Sequence, residues 1–213
     1  MNRRIRIALP SKGRLQAPSL NIIKKAGISL PEDTRSYIVE SLNKNFEFIF
    51  ARAFDIPVYV HYGAADLGMT GYDIILEREV EVYDLLDLGF GSCRLVVAGP
   101  EGLDINSIKN SPKIPRVATE FPNLTRKYFE GLGKQVEILT VSGTVELAPR
   151  LGLADLIVDI TETGKTLREN RLAIIDTILE SSCRLICNRI SYRSFEEEIN
   201  QIVEKIKEAI QSK

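Results

Sequence analysis

The chain has 213 residues, enough to bury a substantial core as one large domain or two small lobes. Its 44% hydrophobic and 27% charged residues are ordinary for a soluble globular protein. A formal net charge of −1, with acids and bases interspersed, argues against a nucleic-acid partner, and no apolar stretch approaches membrane-spanning length.

Arg4-Ile5-Arg6-Ile7-Ala8-Leu9 alternates like a strand and ends at Pro10-Ser11-Lys12-Gly13-Arg14. The apolar run behind Met1-Asn2-Arg3-Arg4 is broken by Arg6 and Pro10, so it is no export signal and a cytoplasmic location is expected. A helix is predicted from about Leu15 to Ala26, stopped by Gly27. Phe46–Ala51 reads as a strand. Asp55-Ile56-Pro57 reads as an N-cap followed by a first-turn proline, opening a short helix that runs to Tyr62-Gly63. Ala65 to Asp73 reads as strand, tight glycine turn and new helix. Further strands are predicted at Val117-Ala118-Thr119, Val136–Leu139 and Leu156-Ile157-Val158. Strands alternating with helices imply a parallel α/β arrangement. At the end, Phe195, Ile199, Ile202, Val203, Ile206 and Ile210 share one helical face.

Ser92-Cys93-Arg94-Leu95-Val96-Val97 and Ser182-Cys183-Arg184-Leu185-Ile186-Cys187 are nearly the same apolar strand used twice. The simplest geometry makes them the two connections between an outer lobe, 1–91 plus 184–213, and an inserted lobe, 92–183. Two crossings would form a hinge, and a cleft between lobes is a common ligand position. The three cysteines, Cys93, Cys183 and Cys187, are expected to be buried reduced thiols, since no histidine accompanies them as a metal ligand.

The most informative segment is Asp155-Leu156-Ile157-Val158-Asp159-Ile160-Thr161-Glu162-Thr163-Gly164-Lys165-Thr166-Leu167. A buried strand runs into a hydroxyl-rich loop and then a helical turn. Backbone N–H groups at such a turn face an anion, and threonine hydroxyls add donors. Gly164 permits close approach. Asp159 and Glu162 repel phosphate but suit sugar hydroxyls, so the segment asks for a sugar phosphate. A Walker loop requires a glycine where Asp159 stands, which excludes that reading. The bland reading is a turn whose threonines merely cap a helix.

Other basic and glycine-rich spots could face the same ligands. Lys12-Gly13-Arg14 follows the first strand, Arg52 follows Phe46–Ala51, and Arg35 lies in Asp33-Thr34-Arg35-Ser36. Each reads on its own as exposed surface. Ser142-Gly143-Thr144-Val145-Glu146 opens a helix and could bind a second anion or a base edge, or be an ordinary N-cap. His61, the only histidine, reads as structural. No Ser/His/Asp or Cys/His set argues for nucleophilic hydrolysis, and no cluster has protein-metal spacing. A metal would arrive with phosphates as Mg²⁺.

Lys12-Gly13-Arg14, Asp66–Asp73, Leu86-Asp87-Leu88-Gly89, and Glu146 through Leu167 together resemble the ATP phosphoribosyltransferase family. The resemblance runs from about residue 4 to 190. It implies a two-lobed fold like type II periplasmic binding proteins. It also implies attack of adenine N1 of ATP on C1′ of phosphoribosyl pyrophosphate, releasing pyrophosphate in the first step of histidine biosynthesis. By resemblance, Asp159, Thr161, Glu162, Thr163, Gly164, Lys165 and Thr166 hold the phosphoribosyl group, with Asp159 near the ribose hydroxyls. Arg14, Arg35 and Arg52 match basic positions that face the pyrophosphate or ATP phosphates, and Lys12, Gly13, Thr70, Gly71 and Glu146 match positions around the nucleotide. The chain stops after its last helix and looks like the family's short form. That form implies a homodimer within a hetero-oligomer, beside a histidyl-tRNA-synthetase-like regulatory subunit on which histidine inhibition depends. Two other readings compete: a non-catalytic solute receptor on the same fold, and a phosphoribosyltransferase acting on a different base.

Overall fold

A computed structural model describes residues 4–30, 36–42 and 45–211. The chain divides into two compact units, Met1–Gly91 with Ser182–Lys213, and Ser92–Ser181. The return to the first unit thus falls at Ser182, two residues ahead of the expected 184.

Unit 1 opens with β1 (Ile5–Pro10), α1 (Gln16–Lys25), β2 (Ile38–Glu40), β3 (Phe46–Ala51), α2 (Ile56–His61), β4 (Leu67–Gly71), α3 (Tyr72–Arg78) and β5 (Tyr83–Asp87). Unit 2 contains β6 (Cys93–Pro100), α4 (Ile105–Asn110), β7 (Arg116–Thr119), α5 (Pro122–Gly131), β8 (Glu137–Thr140), α6 (Leu147–Arg150), β9 (Leu156–Thr161), α7 (Lys165–Glu169) and β10 (Leu172–Ser181). Unit 1 then resumes with β11 (Cys183–Cys187), α8 (Arg189–Ser194) and α9 (Glu196–Gln211).

The sheet of unit 1 has the order β2-β3-β1-β4-β11-β5. Strand β1 lies parallel to β3 and β4, whereas β11 is antiparallel to β4 and β5, and β2 to β3. The sheet of unit 2 has the order β10-β6-β9-β7-β8, with β7 parallel to β8 and β9 but β6 antiparallel to β9 and β10. Both sheets are therefore mixed rather than wholly parallel. The antiparallel members include the strands adjoining the crossings, β6, β10 and β11, together with the edge strand β2. The repeated apolar segment serves two sheets: β6 opens unit 2, whereas β11 rejoins unit 1 between β4 and β5.

Burial explains the sequence pattern. Ile7, Leu9, Phe48, Leu67, Met69 and Leu185 form the unit 1 core with Ile22 and Ile23 of α1 and Ile199, Ile202, Val203 and Ile206 of α9. Phe195 and Ile210 pack against its margin, as the helical periodicity predicts. Gly68 has a different duty: a Cβ there would lie 2.6 Å from Ile56 Cγ2 and 2.8 Å from Val60 Cγ2, so the glycine lets α2 settle on β4. The three cysteines are free and buried, and burial pushes the Cys183 and Cys187 thiols up to about 12.

One local expectation fails. Asp55 does not cap α2 with its side chain; its backbone is already helical, and Oδ1 accepts a hydrogen bond from Arg78 Nη2 at 3.3 Å. His61 Nδ1 lies 3.1 Å from the Glu81 carbonyl oxygen.

Candidate functional site

Strand β9 carries the loop singled out in the sequence. Leu156, Ile157 and Val158 are buried, and the chain then emerges through half-buried Asp159, Ile160 and Thr161. Thr161 Oγ1 accepts from the Gly164 amide at 2.9 Å, and Thr163 Oγ1 accepts from the Lys165 amide at 3.4 Å. Gly164 is left-handed, φ +73°, and starts α7. This refines the sequence reading: the two threonine hydroxyls fold the loop by accepting from its amides, leaving their O–H protons as donors. The helix has only five residues, so its dipole is a minor part of any anion site. Lys165, Thr166, Glu162 and Thr163 are exposed. Lys165 Nζ lies 3.9 Å from Glu169, and Arg168 Nη1 donates to the Thr163 carbonyl at 3.2 Å.

Asp159 has an unusual electrostatic setting. Burial pushes its carboxyl up to about 7, against an opposing hydrogen bond from the Ile160 amide to Oδ1 at 2.8 Å. The charges of Glu146 and Glu120 press in the same direction as burial. Glu146 precedes the four-residue helix α6, where Gly143 takes φ +101°, and its side chain makes no capping bond. Glu120 was not foreseen. A signal was present: Thr119-Glu120 ends β7 as Val158-Asp159 ends the buried part of β9, an apolar strand followed at once by an acid.

In unit 1, Lys12 is exposed and Gly13 takes φ +81°. Arg14 Nη1 donates to the Gly91 carbonyl at 2.6 Å, at the last residue before the crossing. Lys12 and Arg52 line a hollow of about 760 Å³ together with Arg6, Ser11, Tyr37 and Tyr59. Thr70 is fully buried, and its hydroxyl donates to the Ala53 carbonyl at 2.9 Å, which ties β4 to the segment after β3. A Cβ on Gly71 would stand 2.2 Å from Asp73 Oδ1, so the glycine admits that carboxylate at the start of α3. Arg35 lies outside the described residues.

A second hollow, of about 710 Å³, is lined by Arg116, Glu137 and Leu156 at the amino-terminal ends of the parallel strands of unit 2. It contains none of the expected site residues. Ligands of open α/β sheets sit beyond the carboxyl ends of the strands, where Glu120, Asp159 and the 161–166 loop are found. Among the described residues, no group of three or more His, Cys, Asp and Glu side chains is arranged to hold a metal ion. No helix among them is long and apolar enough to cross a membrane.

Comparison with known proteins supplies the class. The family model "HisG: ATP phosphoribosyltransferase" matches residues 52–208. An ATP phosphoribosyltransferase of Methanocaldococcus jannaschii is 51% identical over 210 residues, covering 97% of this chain and 73% of that protein. One from Symbiobacterium thermophilum is 46% identical over 210 residues, covering 97% and 95%. The solved ATP phosphoribosyl transferase (HisG:HisZ) complex from Thermotoga maritima contains a chain that aligns with a TM-score of 0.88 and 37% identity, covering 98% of this chain and all of that one. Fold and relatives together define a pentosyl-transferring α/β enzyme on the two-lobed scaffold of type II periplasmic binding proteins. The chain belongs to the ATP phosphoribosyltransferase family.

Proposed function

We propose that the chain transfers the phosphoribosyl group of phosphoribosyl pyrophosphate to N1 of ATP, with release of pyrophosphate, as the first step of histidine biosynthesis. The observation that carries the phosphoribosyl half is the Asp159–Thr166 segment: a carboxylate for ribose hydroxyls followed by a glycine-pivoted, hydroxyl-rich turn for the 5′-phosphate. The N1 lone pair forms the bond to C1′ as the C1′–O bond breaks, and the electron pair leaves with pyrophosphate. Positive charge builds on the ribose ring and negative charge on the departing oxygens. Arg14 and Arg52, with Arg35, suit the second task, because a guanidinium pairs with phosphate oxygens in a fixed fork. Lys12, Gly13, Thr70, Gly71 and Glu146 are assigned to the nucleotide. Orientation of N1 against C1′ supplies several kcal/mol without any acid–base residue, which accounts for a site with no histidine.

A divalent cation, Mg²⁺ in this reading, travels with the phosphate oxygens and neutralises part of their charge. Cytoplasmic residence fits this chemistry, whose substrates are cytosolic phosphates. We further propose that the chain acts as a homodimer within a hetero-oligomer containing a histidyl-tRNA-synthetase-like regulatory subunit, by analogy with the HisG:HisZ complex.

The direct test mixes the purified chain with ATP, phosphoribosyl pyrophosphate and Mg²⁺, with and without the candidate subunit, and looks for phosphoribosyl-ATP and pyrophosphate. Binding of one substrate with no product in either mixture would favour a receptor instead. Arg14→Ala and Arg52→Ala are each expected to lower kcat/KM at least tenfold, about 1.4 kcal/mol of transition-state stabilisation. Wild-type steady-state kinetics in both variants would remove the arginines from the chemistry.

A further inference from the structure

Register places Glu120 beside Asp159. Strands β7 and β9 run parallel with Ala118 opposite Ile157 and Thr119 opposite Val158, and the register carried one step past the end of β7 sets Glu120 level with Asp159, whose carboxyl feels the Glu120 charge. Positions two apart on a strand share a face. Ala118 and Ile157 lie in one buried cluster with Val96, Val145 and Leu167, which puts the Asp159 carboxyl at the rim of that cluster. Glu146 adjoins the same cluster through Val145.

The backbone around Glu120 is tightly held. Thr119 is fully buried and its Oγ1 accepts from the Phe121 amide at 2.8 Å. Thr125 Oγ1 donates to the Phe121 carbonyl at 2.7 Å, and Phe121 is itself buried. The strand end is thus pinned on the residues flanking Glu120.

We propose that Glu120 is a positioning residue of the phosphoribosyl half-site, acting through Asp159 to set that carboxyl's charge and orientation for the ribose hydroxyls. This rests on the phosphoribosyl reading of the 159–166 segment. An ionised Asp159 accepts from two hydroxyls, whereas a protonated one loses an acceptor. A second carboxylate on the adjoining strand favours the protonated form in the free protein. The site would bind phosphoribosyl pyrophosphate less well on the acid side of neutrality, at a pH that Glu120 helps to fix. The other groups facing Asp159 are Glu146 before α6 and the Ile160 amide on its own strand, and on the neighbouring strand β6 Arg94 stands opposite Thr161.

The test is a carboxyl-carbon NMR titration of the ligand-free protein, with the Asp159 signal assigned from Asp159→Asn, alongside the pH profile of KM for phosphoribosyl pyrophosphate. In Glu120→Gln the Asp159 midpoint should fall by about half a pH unit or more, and the acid bend in the KM profile should move with it. Glu130→Gln removes an equal charge from the exposed face of α5 and should leave both unmoved. An Asp159 midpoint unchanged by Glu120→Gln overturns the proposal whatever the kinetics. A midpoint that shifts while the KM profile stays in place also overturns it, but locates the error in the phosphoribosyl assignment of Asp159 rather than in the pairing.

Discussion

Asp159→Asn is expected to raise KM for phosphoribosyl pyrophosphate at least tenfold while making the protein more stable above pH 7. The two effects have one cause. Asp159 is held among acids and apolar side chains with one backbone amide at its own oxygen, an arrangement that disfavours the charge the ligand's hydroxyls require. Its native value, about 7, lies above the ordinary 3.8, so the folded protein retains a proton that the unfolded chain gives up between those values. The contribution to stability is complete below about pH 4 and is lost as pH rises through about 7. A shift of about three units corresponds to roughly 4 kcal/mol, of which about half is expected to survive solvent screening of a half-buried group. An amide carries no charge and escapes that loss. Thermal unfolding at pH 5 and pH 8 should therefore show a wild-type melting temperature that falls between the two, with the variant falling about 5 °C less. Parallel falls in both proteins would contradict the raised proton affinity. An unchanged KM would remove Asp159 from the ribose.

Gly91→Ala should cost more than Gly89→Ala, its neighbour before the same crossing. Gly91 takes φ +66°, and a Cβ there would stand 2.3 Å from Leu15 Cδ2, whose side chain is buried in the unit 1 core. Its carbonyl also accepts the hydrogen bond of Arg14. Gly89 provides the control, since it takes φ +69° but has nothing within 4 Å of its added Cβ. Backbone strain alone should cost Gly89→Ala about 1 kcal/mol, whereas strain plus overpacking should cost Gly91→Ala about 3 kcal/mol. Chemical denaturation of both variants measures the difference, and equal losses would mean that Leu15 simply moves aside. Turnover should fall further in Gly91→Ala, because the displaced loop carries the anchor of Arg14.

Much of this was readable from the chain, and the exceptions have physical reasons. Strands β1, β3, β6, β9 and β11 are plain apolar or alternating runs, and α9 has an unbroken helical stripe. Strand β10 escaped because Ile174-Ile175 and Ile178-Leu179 break the two-residue period. The structure shows register shifts between Ile174 and Asp176 and between Thr177 and Leu179, where irregular pairing absorbs the extra residues. Helix α5 escaped for a related reason: no side chain caps it, and its start is marked only by Phe121-Pro122 and the buried Thr119 hydroxyl. At the site, Gly164 and the threonines were legible because their chemistry is local. Glu120 was not, because its nearness to Asp159 depends on strand register across about forty residues. Thr70 stood out as a polar residue before a glycine, yet its hydroxyl is engaged by Ala53 inside the core.

The pairing of Cys93 with Ser181 brings the first and last strands of unit 2 side by side. For the nascent chain this makes one order of events cheaper than another. Joining β5 to β11 while residues 92–181 are still random would close a loop of about 90 residues at a cost of about 4 kcal/mol in chain entropy, beyond any fixed term. Once β6 and β10 have zipped together, the same two strands are separated by little more than a hairpin's width. The sheet of unit 1 then becomes a low-separation fold whose completion waits on the insert, and mutations that slow the zipping of β6 and β10 should slow folding of the whole chain.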